Sequence, residues 1–259
     1  DDGFLITLDI YLKLMYTRFS TRIFRVLIAR FMVNRQEKLL QKIIQEYIKT
    51  AEPVGSLKLA RDIQVSSATV RNEMVELEES GFIFQPHTSA GRVPTEKGYF
   101  FYVENFVKDI LLSDEEKKVF EAAMKRACPP ERRSERAVKN LAQKIAEFAT
   151  EAVIVAFNPN NLYFTGLSNL FAKPEFVDRV SVTSVSQILD KSEQVLPQII
   201  DLVSRQEHIL IGSNNPFGNQ CSFVATPFGS EGFFGILGPM RMDYEKNLSI
   251  INFVKELVR

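Results

Sequence analysis

From residue 34 the apolar positions fall into a helical rhythm. Leu39, Leu40, Ile43, Ile44, Tyr47 and Ile48 recur at intervals of three and four, which predicts a helix over residues 35–49 with one buried face. Pro53 ends it, because the residue before a proline is pushed out of the helical region. Val54-Gly55 reads as a turn. Ser56 is then the expected N-cap of a short helix carrying Leu57, Leu59, Ala60 and Ile63. Gln64-Val65-Ser66 separates this helix from a third, whose inner stripe is Val70, Met74 and Leu77 and whose end is set by Ser80-Gly81. Helix, three-residue turn and helix make a helix-turn-helix. Residues 82–86 follow as a short strand, then a polar tip over residues 87–92, where Gly91 is expected to supply a positive φ, and a return through Val93-Pro94. Thr95 can cap a closing helix whose Tyr99, Phe100, Tyr102, Val103 and Phe106 seal the core. Residues 34–104 thus predict a winged helix-turn-helix domain.

Residues 105–150 read as a helical connector. Ser113-Asp114-Glu115-Glu116 is a capping box, Cys128-Pro129-Pro130 breaks the helix it opens, and a second helix over residues 134–150 carries the stripe Val138, Leu141, Ile145 and Phe148. That stripe can pack on a domain or on a partner chain. From residue 151 short apolar runs alternate with turn residues. Strands are expected at 152–157, 162–167, 209–211, 221–226 and 233–237, and helices at 192–205 and 243–258, giving an α+β domain with an antiparallel sheet and helices on one side of it. Residues 1–33 neither alternate nor keep a stripe, and stand apart as an N-terminal extension.

Composition narrows the function. The 259 residues are 45% hydrophobic and 25% charged, which fits a soluble globular protein. Thirty-two basic residues balance thirty-two acidic ones, and the winged helix holds nine of one and ten of the other, so contact with a polyanion must rest on a local arrangement of charge. Charges at Asp9, Lys13, Arg18, Arg22, Arg25 and Arg30 interrupt the apolar N-terminal stretch, leaving no uncharged run of about 18 residues for a membrane span. Cys128 and Cys221 offer neither a disulfide framework nor a thiolate metal site, and a reducing cytoplasm is expected. His87 and His208 are the only histidines, and neither sits in a nucleophile-and-base or zinc spacing. The glycines around residues 229–238 mark turns and do not form a phosphate loop. No enzyme activity, metal or cofactor is expected.

Rotation by 100° per residue from Val70 leaves Ala68, Arg71, Asn72 and Val75 on the outer face of the third helix. These types suit a DNA major groove: arginine spans two acceptors on guanine, asparagine matches the edge of adenine, and alanine or valine lies against a thymine methyl. Glu76, Glu78 and Glu79 crowd the other end, so only the N-terminal half should enter. Ser66, Ser67 and Thr69 can donate to phosphates at the helix N-terminus or simply cap it. In the wing, His87, Ser89 and Arg92 can touch the DNA backbone or minor groove, or form an ordinary polar hairpin tip.

Four segments, 34–40, 47–56, 66–74 and 85–95, resemble, in this order, the heat-inducible transcription repressor family HrcA. Residues 166–170, 174–176 and 235–244 are similar to the last third of the same family. The resemblance implies a homodimer that sits on an inverted repeat in double-stranded DNA upstream of chaperone genes, represses them until heat stress, and is kept active by a GroEL-type chaperonin. It also implies a GAF-like fold for residues 151–259. One departure is visible. The family's long inserted dimerisation segment is missing, since only residues 158–161 separate the first two strands of that domain. Dimerisation then falls to the Val138, Leu141, Ile145 and Phe148 stripe or to the exposed face of the C-terminal domain. Two other readings stay open: a ligand-gated regulator, and a chaperonin-binding module with weak DNA contact.

Overall fold

The computed structural model describes residues 34–108, 110–125, 135–177, 179–190, 192–204 and 209–258. The N-terminal extension, the Cys128-Pro129-Pro130 break and His208 lie outside the described residues.

The first apolar stripe forms α1 (Asn34–Thr50), and Leu39, Leu40, Ile43 and Ile44 are fully buried in it. α2 (Ser56–Ile63) and α3 (Ser67–Glu79) cross it as the expected helix-turn-helix. Ser66 caps α3 by accepting a hydrogen bond from the Thr69 amide at 3.1 Å. Gly81, at φ +74°, takes the left-handed exit conformation that ends α3. β1 (Ile83–Phe84) and β2 (Val93–Pro94) pair antiparallel, and Thr95 caps α4 (Glu96–Phe106). Here the structure corrects four local expectations. The N-cap of α2 is Gly55, and Ser56 already lies inside the helix. Leu57 is not in the core but turns outward. In α4 Phe101 is the buried ring, stacked edge-on against Phe82 at 5.4 Å, while Phe100 is only half-buried. Gly91 has no positive φ. It is needed because Val54 and Arg92 exchange backbone hydrogen bonds of 2.9 Å, and a Cβ on Gly91 would lie 2.4 Å from the Val54 carbonyl carbon.

α5 (Asp114–Lys125) opens with the expected capping box: Glu116 accepts from the Ser113 amide at 2.7 Å and Ser113 accepts in return from the Glu116 amide. α6 (Glu135–Ala149) lies on a five-stranded antiparallel sheet of order β4-β3-β7-β6-β5. The strands are β3 (Ala152–Asn158), β4 (Asn161–Thr165), β5 (Ile209–Ile211), β6 (Cys221–Phe228) and β7 (Gly232–Pro239). Val138, Leu141 and Ile145 are wholly buried within the chain and the half-buried Phe148 packs edge-on against Phe120 at 5.5 Å, so the expected dimer stripe is already filled from within.

The expectation of helices on one side of the sheet is also overturned. Alternate residues of the strands face opposite ways, and both faces are covered. Val153, Val155, Val224, Phe234 and Ile236 share one core with α6, α10 (Tyr244–Leu257) and the winged helix. Ile154, Ala156, Phe223, Ala225 and Phe233 share a second with α7 (Leu167–Phe171), α8 (Arg179–Asp190) and α9 (Ser192–Ser204). The second strand stops at Thr165, where Gly166 at φ +73° turns the chain into α7. α8 escaped the sequence reading because its Val, Thr and Ser residues favour strands and caps over helix interiors.

The winged helix is fastened to this domain at two polar points. Glu96, the first residue of α4, accepts from the Ser213 amide at 3.0 Å and from its hydroxyl at 2.7 Å. Arg241 donates to the Glu175 carboxylate and, at 3.2 Å, to the Ile48 carbonyl near the end of α1. Between them the rings of Tyr99 and Tyr244 meet at 6.1 Å, both out of solvent. These contacts use α1 and α4, leaving α3 and the wing on the open side.

Candidate nucleic-acid interface

The burial of Val70, Met74 and Leu77 fixes the roll of α3 and thereby decides which residues it shows to solvent. Ala68, Arg71 and Asn72 are exposed, and Val75 retains 41% of its surface. All four residues expected to face base edges therefore share one open face. Ser66 is exposed, but its hydroxyl is engaged with the Thr69 amide and lies 2.8 Å from the Thr69 hydroxyl; Ser67 and Thr69 are half-buried. Capping is thus what Ser66 does within the chain.

The acidic end of α3 is neutralised in part from inside. Glu73 is buried in an ion pair with Arg35, and Glu76 accepts from the Gln36 side chain. Glu78 turns to the wing, where it pairs with Arg92 at 2.9 Å and accepts from the Gln85 amide at 2.8 Å. Glu76 and Glu79 both remain exposed to solvent. The repulsion of phosphates expected from this end is correspondingly reduced.

The wing tip is clamped by one side chain that the sequence reading passed over. The Gln85 amide nitrogen donates to the carbonyls of Thr88 at 3.0 Å and Ala90 at 2.9 Å, and the Ala90 amide donates to the His87 carbonyl at 2.8 Å. His87 and Ser89 are exposed at this tip, with the Ser89 hydroxyl 3.4 Å from His87 Nδ1. Arg92 is different. Its side chain is only 11% exposed and held by Glu78, so it braces the wing against α3 instead of reaching outward. Neither Gln85 nor Glu78 could be assigned this role from sequence, because their partners depend on how the wing folds back.

Between α3, the wing and the corner at residues 54–57 lies a groove of about 560 Å³, lined by Leu57, Arg71, Val75, Gln85 and Ser89 among others. A helix with its side chains is about 10–12 Å across, the width of a B-DNA major groove. An exposed α3 beside a projecting wing can enter such a groove while the wing contacts the flanking strand. Among the described residues no group of histidine, cysteine, aspartate and glutamate could hold a metal ion, and no helix is long and apolar enough to cross a membrane.

Comparison with known proteins bears on the same features. The family model described as the HrcA protein C terminal domain matches residues 104–248. A heat-inducible transcription repressor HrcA from Clostridioides difficile is 26% identical over 332 aligned residues, covering 87% of this chain and 98% of that protein. Its namesake from Acetivibrio thermocellus is 52% identical over 96 residues, 36% of this chain and 27% of that protein. A crystal structure of a hypothetical protein at 2.2 Å resolution shares the fold, with a TM-score of 0.66 at 18% identity over 88% of this chain and 97% of the other. The alignment with the C. difficile protein is longer than the 259 residues of this chain, so that relative carries sequence with no counterpart here. The family match spans more than half of the residues and takes in α5, α6, the whole sheet and the first turn of α10, and the chain belongs to the HrcA family.

Proposed function

We propose that this chain is a repressor of heat-inducible genes that binds an inverted-repeat operator as a homodimer, α3 of each copy reading one half-site. The observation that carries the reading is the open face of Ala68, Arg71, Asn72 and Val75 on a helix whose opposite side is locked into the core. Arg71 and Asn72 carry the hydrogen-bond donors and acceptors that base edges require, and His87 and Ser89 at the wing tip lie where a flanking backbone would pass. Ser67 and Thr69, at the start of α3, face the same strand. Two copies are needed because the nearly neutral winged helix gives one copy little nonspecific attraction, whereas two linked reading heads multiply their affinities. A GroEL-type chaperonin, implied by the family resemblance, is the partner expected to keep the repressor active. Names of the relatives, all of which are repressors, support a regulatory role over a catalytic one.

A gel-shift titration tests this. The chain should bind an inverted-repeat duplex, selected from a randomised pool, at least about a thousandfold more tightly than scrambled DNA of the same length. Equal affinity for the two would rule out sequence-specific repression.

A further inference from the structure

α2 presents a large apolar side chain that its own fold does not use. Leu59 is buried and Ala60 and Ile63 pack on the core, but Leu57 keeps 69% of its surface in solvent. It does not stand alone: it borders the same groove as Val75, at 41%, with Arg71 beside them. Single exposed leucines are ordinary on protein surfaces; two exposed apolar side chains that line one groove together with an exposed arginine, on the helix that also exposes Ala68 and Asn72, form a patterned surface. We propose that Leu57 is a specificity-determining residue of the DNA site, packing on the C5-methyl group of a thymine next to the base read by Arg71.

The chemistry selects that occupant. Leucine cannot pair with a phosphate oxygen, and the methyl of thymine is the apolar group that the major-groove edge of a base pair displays. Deoxyribose carbons are also apolar, but every nucleotide carries them, so contact with a sugar adds affinity without discrimination. Leu57 lies on α2 while Val75 lies on α3, which brings apolar contacts to the groove from two elements and fixes their spacing through the buried helix-turn-helix core.

The inference rests on the repressor reading and is tested separately from it. An inverted-repeat duplex selected by the full chain is remade with each thymine in turn replaced by deoxyuridine, which removes only the methyl. At one position per half-site the wild type should lose about fourfold in affinity, the scale of one apolar carbon removed from contact. The Leu57→Ala variant should bind the thymine and uracil duplexes there equally, while Leu57→Met keeps the discrimination. Because the side chain is exposed, melting temperature should not change in either variant. A Leu57→Ala loss that is the same on thymine and uracil duplexes at every position would overturn the assignment and reduce Leu57 to a sugar contact. A wild type with no preference for any inverted repeat would overturn the repressor reading, and this inference with it.

Discussion

Arg71→Ala weakens binding to the selected operator by about 1–3 kcal/mol and binding to scrambled DNA by much less, the signature of a bidentate contact to a base edge. The structure makes the experiment clean. Arg71 is exposed on α3, whereas the neighbouring Val70 and Met74 hold the helix in the core, so its removal should leave thermal melting unchanged. Arg71→Lys should recover only part of the loss, because an ammonium is a point charge and lacks the planar fork of guanidinium. Asn72→Ala should show the same selective pattern. Equal losses on operator and scrambled duplexes would reduce both side chains to phosphate contacts. Paired titrations on the two duplexes, run at one fixed salt concentration, give the answer.

The second large effect concerns pH. Glu151 precedes β3 and is buried, with Lys173 at 3.3 Å as its cationic partner and one carboxylate oxygen left without a hydrogen bond. Gly238 makes room for it, since a Cβ there would fall 2.7 Å from that oxygen. Burial pushes the Glu151 carboxyl up from 4.5 to about 7, against the lowering pull of Lys173 and Arg241 and with a further push from Glu175. The folded protein therefore holds this proton more tightly than the unfolded chain does. Its contribution to stability is full below about pH 4.5 and is lost as pH rises through about 7, a span worth about 3 kcal/mol. Cys221, which burial raises to about 12, stays protonated throughout and adds nothing in this window. Glu151→Gln should flatten the pH dependence and melt higher than the wild type above about pH 7. Melting curves of both proteins from about pH 5 to 8 check this; parallel curves would show that the Glu151 proton is not linked to folding.

The helix-turn-helix was legible because its information is local. The spacing of Leu39, Leu40, Ile43 and Ile44 and of Val70, Met74 and Leu77 sets which side of each helix is buried, and Ser66 and Gly81 punctuate α3 as their chemistry requires. The outer face followed from the inner one by rotation alone. What escaped depends on distant parts of the chain. Arg92 looks like a free cation at a hairpin tip until the wing folds back and sets Glu78 beside it. Leu57 looks like a core residue in a helix too short to declare its stripe. Gly91 owes its place to the backbone of Val54, which lies far from it in sequence but against it in space. The second layer of helices on the sheet was hidden because α8 is built from residues whose intrinsic preference is not helical, and its place comes from the core that Val185 shares with Phe176, Leu196 and their neighbours.

The central claim is that the outward face of α3 touches base edges, and photochemical crosslinking tests it most directly. The selected operator is prepared with 5-iodouracil at its thymine positions, so that irradiation joins the base edge to whatever side chain lies against it. The account predicts that the crosslinked peptides fall on α3, around Ala68, Arg71, Asn72 and Val75, with Leu57 of α2 as the one neighbour outside it. Crosslinks confined to α5, α6 or the sheet domain would contradict it.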